Sequence, residues 1–352
     1  MSCRFINDKI ISNFMNLIFT ENAVERLTDF LIKNKQKPAL QVLTPDASVR
    51  EYFRIDWNDA PAIACVYLES FLAKEHTYLD VTNLLNTSGL PVAEIYGFDG
   101  ELGVIVQEDF GDLVLRDVLE NSSLENRETL LNEAISLIAK IQAATPLAFE
   151  LNSIASHLKF DEEKLLWELN FFKIHYFETL CREKLSEKDD NALTEEFREL
   201  AKELQQHAAV LCHRDFHAAN LMVDKENRLR IIDHQDARIG AASYDLVSLL
   251  LDRVLQAPDK DWLNKKKYYF LAERKKSGLD KIDFADFDYE FEIQTIQRCL
   301  KAIGTFSFQS VMRGKTYFVQ YIEPMFRIVL QACKRLQRFP NLQRIIKENK
   351  LG

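Results

Sequence analysis

The chain is 352 residues long, 47% apolar and 28% charged, an ordinary folded composition with room for two modest domains or one bilobal unit. Its net charge of -9 leaves no basic footprint for nucleic acid or for an anionic membrane surface. Six scattered cysteines, Cys3, Cys65, Cys181, Cys212, Cys299 and Cys333, include no C-x-x-C pair and no metal-like spacing, which reads as reduced thiols in a cytoplasmic protein.

The first apolar stretch, 10–19, is interrupted by Ser12, Asn13 and Asn16. It is too short to span a bilayer and lacks a small-residue cleavage site, so it reads as an amphipathic helix. Residues 21–34 follow with Val24, Leu27 and Leu31 on one helical stripe. Segments 39–43, 52–57 and 61–68 read as strands, the first two separated by the polar turn TPDASVRE. A helix then runs to Gly89, a C-terminal cap, and 90–97 and 102–107 read as two more strands around the Asp99-Gly100 turn.

After Gln107 the polar connector 108–112 leads into helical patterns at 124–143, 161–182 and 194–206. Short strands at 221–223 and 229–232, joined by the turn 224–227, interrupt them. Helices resume at 243–255, 259–276, 287–303, 316–334 and 340–350. The pattern predicts an α+β bilobal fold, with a sheet-bearing lobe over residues 1–109 and a helical lobe over 110–352. The basic run Lys265 to Lys267, with Arg274 to Lys276 nearby, reads as a solvated helix face.

Residues 211–236, LCHRDFHAANLMVDKENRLRIIDHQD, carry the chemistry. Asp215, Asn220 and Asp233 sit in an H-x-D-x-x-x-x-N pattern followed by an apolar run and a second aspartate. Phosphoryl transfer needs such an inventory: a carboxylate to orient the attacking hydroxyl, and oxygen ligands to hold magnesium against nucleotide phosphates. Each of the three alone would read as a turn or hairpin cap; together at this spacing they point to an ATP-dependent kinase using magnesium. His213 reads as a pin for the loop, and Asp245 as a helix cap or loop anchor. His217 and His234 lack zinc-like spacing, and Asp236 is a candidate substrate contact.

This segment, with GAASYDL at 240–246, resembles the aminoglycoside phosphotransferase and choline kinase superfamily, which has a protein-kinase-like fold. IIDHQDA, QRCLKAIGTF at 297–306, SVREYFRI at 48–55, VQEDFGD at 106–112 and WELNFF at 167–172 are most like the bacterial anomeric kinases of N-acetylmuramate and N-acetylglucosamine. The resemblance implies a small antiparallel-sheet lobe over a helical lobe, with Asp215 catalytic and Asn220 and Asp233 on magnesium. It places Ser48 and Arg50 over the ATP phosphates, and Glu108, Asp109 and Phe110 at the hinge that meets adenine. It sets Glu168, Arg298 and Lys301, with Asp236, around a small-molecule sugar. The third strand, AIACVYL, lacks the lysine that the wider superfamily aims at the phosphates, which leaves Arg50 and Arg54 as candidate replacements.

Rival expectations keep the fold and change the role. One is a kinase of another small alcohol, an aminoglycoside or a choline-like amine; the other is a nucleotide-binding pseudokinase. A protein kinase fits poorly, because too few residues separate Asp233 from Tyr244 for an activation loop.

Overall fold

The computed structural model describes residues 22–43 and 50–349. The reading of 10–19 as a helix therefore lies outside the described residues, as does Ser48.

Helix α1 (22–33) is followed by β1 (Leu40–Leu43), β2 (Glu51–Trp57) and β3 (Ala60–Val66). Helix α2 (Thr77–Thr87), β4 (Ile95–Asp99) and β5 (Val104–Glu108) complete the first lobe. The sheet is antiparallel throughout, in the order β1-β2-β3-β5-β4. Asn58 and Asp59 both take positive φ between paired Trp57 and Ala60, the two-residue hairpin such residues favour.

Strand alternation divides the sheet into two faces. Phe53, Ile55, Ala62, Ala64, Val66, Val104 and Val106 are buried against Ala23, Leu27, Phe30 and Leu31 of α1. The register turns Tyr52, Cys65 and Ile105, and next to them Arg54, Ile63 and Gln107, to the other face, which looks into the cleft.

Helix α2 ends as its sequence suggests: Gly89 takes φ +72°, and the Leu90 amide donates to the Leu85 carbonyl. Its apolar face goes elsewhere than the sheet. Val81, Leu84 and Leu85 join the core of the helical lobe, where Leu90 and Val92 follow them. Asp80 accepts from Ser153 Oγ at 2.5 Å and from the Ile154 amide at 2.8 Å. These contacts explain why the predicted strand 90–97 shifts to Ile95–Asp99: its first half is spent packing on the helical lobe.

The helical lobe runs through α3 (Leu115–Asn121), α4 (Leu124–Ala143), α5 (Thr145–Glu150), α6 (Ile154–His157) and α7 (Glu162–Lys173). A π-helical stretch, Ile174–Cys181, continues α7, and α8 (Glu187–Leu204) follows. Short strands β6 (Val210–Cys212) and β9 (Arg238–Gly240) pair with each other, and β7 (Leu221–Val223) pairs with β8 (Leu229–Ile231). The chain closes with α9 (Tyr244–Leu251), α10 (Lys260–Lys276), α11 (Phe284–Met312), α12 (Ile322–Leu336) and α13 (Pro340–Glu348). No helix of the described residues is long and apolar enough to cross a membrane.

One expectation is corrected here. Lys266 and Lys267 are buried, not solvated: Lys266 Nζ meets Glu128 at 2.6 Å and Asn132 at 2.7 Å, and Lys267 Nζ meets Asp288 at 2.6 Å. Of that run only Lys265 faces water, because α10 inserts its charges between α4 and α11 and supplies each with a partner.

Helix α11 positions the site, and its approach to α7 is tight. A Cβ on Gly304 would lie 2.6 Å from the Phe172 Cα, a backbone atom that cannot swing aside. Gly304→Val should therefore destabilise the fold by about 1–3 kcal/mol through overpacking, read as a lower denaturant midpoint; an unchanged midpoint would show that the two helices tolerate separation.

Candidate active site

The loop between β6 and β7 is held from below by a buried carboxylate. Asp245 accepts the His213 amide at 2.7 Å through Oδ2 and the Arg214 amide at 3.0 Å through Oδ1. Burial pushes the Asp245 carboxyl upward, and the neighbouring His213 and the two amides oppose it. From above, His213 Nε2 meets the Ile232 carbonyl at 2.9 Å. These fastenings let Arg214 in this loop, at φ +86°, and Asp233 after β8, at φ +62°, sit in left-handed backbone. Such conformations cost on the order of 1–3 kcal/mol each and persist where their surroundings over-determine them.

Asp215, Asn220 and Asp233 come together. Asn220 Nδ2 donates to the Asp215 carbonyl at 2.9 Å and lies 3.3 Å from Asp233 Oδ2. With the amide nitrogen engaged by the backbone, the carbonyl end of Asn220 is the end left for a cation. Asn220 and Asp233 thus offer the hard oxygen donors that magnesium prefers. Among the described residues no group of three or more His, Cys, Asp or Glu is placed to hold a metal alone. A two-ligand site completed by phosphates and water fits magnesium and does not fit structural zinc.

Asp215 sits in a nest of cations. Its Oδ1 accepts from Lys301 Nζ at 2.8 Å and from Arg298 at 3.2 Å, and Arg214 Nε lies 3.8 Å from Oδ2. Burial opposes ionisation, but Lys301, Arg298 and Arg214 outweigh it and hold the carboxyl well below its ordinary value. Burial, and after it the neighbouring Arg298 charge, pull Lys301 below its usual range, and the contact with Asp215 opposes them. Arg298 also reaches Asp252 at 3.5 Å. Arg214 pairs with Asp236 at 2.7 Å and lies 4.0 Å from Glu168 Oε1. Glu168 is fully buried and takes Gln297 Nε2 at 2.8 Å on its other oxygen. The four expected acceptor-side residues, Glu168, Asp236, Arg298 and Lys301, thus form one connected network with Asp215.

The nucleotide-side residues are placed less uniformly. Arg50 precedes β2 opposite Tyr67, its guanidinium 5.3 Å from that ring, and its charge interacts with Asp233. Arg54 is taken: it binds Asp109 through two bonds of 2.6 and 3.2 Å and Asp112 at 2.8 Å. Cys65 stands on the cleft face of the third strand, its thiol pushed up to about 11 chiefly by burial, so it carries no charge. Of the two candidate arginines, Arg50 is the one whose charge interacts with Asp233.

The connector residues brace the lobes with their side chains. Glu108 meets Arg230 at 2.5 Å, the Arg230 guanidinium covers the Phe110 ring at 4.1 Å, and Asp109 accepts the Gly111 amide at 2.8 Å. Recognition of adenine at this connector would fall to its main chain.

Both neighbouring histidines are held neutral. Burial lowers His217 to about 4, against the pull of Asp252, and burial together with the neighbouring His213 lowers His234 to about 3. His234 packs on Tyr78 at 4.9 Å and meets Thr82 Oγ1 at 2.7 Å, tying α2 to the Asp233 loop. Sequence reasoning passed over Arg214, Arg230, Asp252 and Gln297 as site residues. Arg214 and Gln297 had a signal, since each directly precedes a residue singled out; Arg230 and Asp252 had none.

Residues 39–277 match the phosphotransferase enzyme family, and the chain belongs to it. It is 27% identical over 305 residues to the N-acetylmuramate/N-acetylglucosamine kinase of Neisseria meningitidis serogroup B, covering 86% of this chain and 88% of that protein. The enzyme of the same description from Pseudomonas aeruginosa is also 27% identical, over 308 residues and 86% of each chain. Among solved structures, choline kinase LicA from Streptococcus pneumoniae shares the fold at a TM-score of 0.56 and 13% identity, covering 87% of this chain and 98% of its own. An ADP-bound aminoglycoside phosphotransferase does so at 0.54 and 12%, covering 86% and 97%. The α+β, protein-kinase-like architecture is thereby confirmed, and the protein is a phosphotransferase.

Two outcomes follow from the charge arrangement. Lys301→Met removes the nearest cation from Asp215, so the carboxylate loses stabilisation and its proton affinity rises; the acid limb of kcat/KM should move to higher pH, and an unmoved limb would exclude Asp215 as the titrating group. Arg50→Met should raise the KM for ATP by about tenfold or more, the scale of a charge-assisted phosphate contact, with a smaller change in acceptor KM.

Proposed function

We propose that the protein transfers the γ-phosphoryl group of ATP to the anomeric hydroxyl of N-acetylmuramate or N-acetylglucosamine, as a cytoplasmic step in recycling cell-wall sugars. The carrying observation is how the carboxylates around Asp215 are compensated. Asp215 is matched by Lys301 and Arg298, Asp236 by Arg214, and Asp252 by Arg298, while Glu168 faces Gln297 and Arg214. A pocket for a cationic aminoglycoside or choline-like amine needs acids to spare. Here each of the acids already has a cation or an amide beside it, although Glu168 Oε1 and Asp252 Oδ1 have no hydrogen bond of their own, which favours a neutral or acidic sugar. The names of the two relatives agree with that reading.

The acceptor hydroxyl would approach the Oδ2 side of Asp215, because Oδ1 is occupied by Lys301 and Arg298. A bond forms from the anomeric oxygen to the γ-phosphorus as the bond to the β,γ-bridging oxygen breaks, and ADP departs. A carboxylate held this firmly ionised is a weak base. It suits a loose transition state in which the hydroxyl needs orientation early and gives up its proton late, to Oδ2. Magnesium bound by Asn220 and Asp233 would supply charge neutralisation at the phosphates. Arg50 would meet them from the sheet, and the backbone of Glu108 to Phe110 would receive adenine.

Purified protein with ATP, magnesium and either sugar should release ADP and a sugar 1-phosphate, identified by phosphorus NMR. Asp215→Ala should lower turnover by about 10²–10⁴-fold while the chain stays folded. Near-wild-type turnover in that variant, or product phosphorylated at another oxygen, would overturn the assignment. Activity on aminoglycosides or choline in place of the sugars would favour the other acceptor class.

A further inference from the structure

The acceptor side contains one cation that the network leaves over. Lys164 lies one helical turn before Glu168 on α7, so the two share a face. Its ammonium stands 4.0 Å from the Trp167 ring, and no carboxylate among the described residues forms an ion pair with it. Trp167 is 54% exposed, although it is a large aromatic, and its ring meets Phe171 at 5.6 Å, one turn further on. Lysine and aromatic shelf therefore sit together at the edge of the network that holds Asp215.

The electrostatics of this position are unfavourable without a further anion. Lys164 is half-buried, and burial lowers its proton affinity. Of its strongest electrostatic neighbours Glu168 raises it, whereas Arg214, Arg238 and Lys301 repel it. Glu168 is already bound to Gln297 and faces Arg214. A surface lysine with no task would swing into water; this one is stacked on an exposed tryptophan and faces three other cations.

We propose that Lys164, backed by Trp167, is a specificity determinant that binds a carboxylate substituent of the acceptor sugar. The inference rests on the sugar-kinase reading above and deepens it. N-acetylmuramate carries such a carboxylate and N-acetylglucosamine does not, so the two sugars report on Lys164 by their ratio. The aromatic shelf adds a flat apolar face on which a sugar ring can lie.

The test compares kcat/KM for the two sugars in the full-length wild type and in Lys164→Gln and Lys164→Arg variants. The wild type should prefer the acidic sugar. Lys164→Gln should lower the ratio of acidic to neutral sugar by about tenfold, chiefly through the KM of the acidic one, and Lys164→Arg should restore most of it. A measurement on the wild type alone serves if a variant misfolds: added salt should raise the KM for N-acetylmuramate more steeply than that for N-acetylglucosamine. An unchanged ratio in Lys164→Gln, or equal salt dependence for both sugars, overturns the inference while leaving the sugar-kinase reading intact. Failure of the wild type to phosphorylate either sugar overturns both.

Discussion

Sinking a carboxylate into a protein is expensive unless cations come with it, and Asp215 sets that demand on the whole helical lobe. Lys301 and Arg298 meet it from α11, and Arg214 from the loop itself. Each of those cations then requires its own counterpart, which draws in Asp252, Asp236 and Glu168. The network extends until α7, α9, α11 and the loop are one electrostatic unit. Packing enforces the same arrangement, since Gly304 lets α11 lie against the backbone of α7 where Glu168 is mounted. Stability and site geometry are thus not separable here: the groups that make a half-buried aspartate tolerable are the ones that surround its open oxygen.

The second constraint is the backbone of the loop. Asp245 fixes two successive amides below, and His213 fixes the Ile232 carbonyl above. Between those fastenings the chain turns sharply enough to aim Asp215 and Asp233 at a common space, with Asn220 between them. The sheet lobe contributes no comparable rigidity to the phosphates, because its third strand carries Cys65 on the cleft face and Arg54 is committed to Asp109 and Asp112. Helix α2 is instead anchored to the helical lobe through Asp80 and through the Thr82–His234 contact. Helix α2 is thereby tied directly to the loop of Asp233.

Much of this could be read in the chain before any coordinates. The spacing of Asp215, Asn220 and Asp233 is local, so a short loop and a hairpin suffice to bring them together. Helix 124–143 and strand 221–223 were read with their observed limits because their apolar periods run uninterrupted to a turn or cap. Legibility fails where a segment answers to a distant partner. Residues 90–94 look like a strand but pack on the helical lobe, and Lys266 and Lys267 look solvated but meet acids far along the chain. Helix α11, read as 287–303, runs Phe284–Met312 and continues past Gly304, and within it Glu290, Glu292, Gln294, Gln297 and Arg298 are buried. Of these, Gln297 and Arg298 line the site, and a polar face turned inward on a long helix is itself a functional signal.

The account stands on a carboxylate that stays ionised because cations surround it. The direct measurement is a carbon-13 NMR titration of the Asp215 side chain in the folded, full-length protein. The resonance should hold its ionised value from neutral pH down through about 3.9, where an ordinary aspartate is half-protonated. A titration centred near neutral pH, about 6–7, would mean that Asp215 is isolated from Lys301, Arg298 and Arg214, and the electrostatic organisation described here would be wrong.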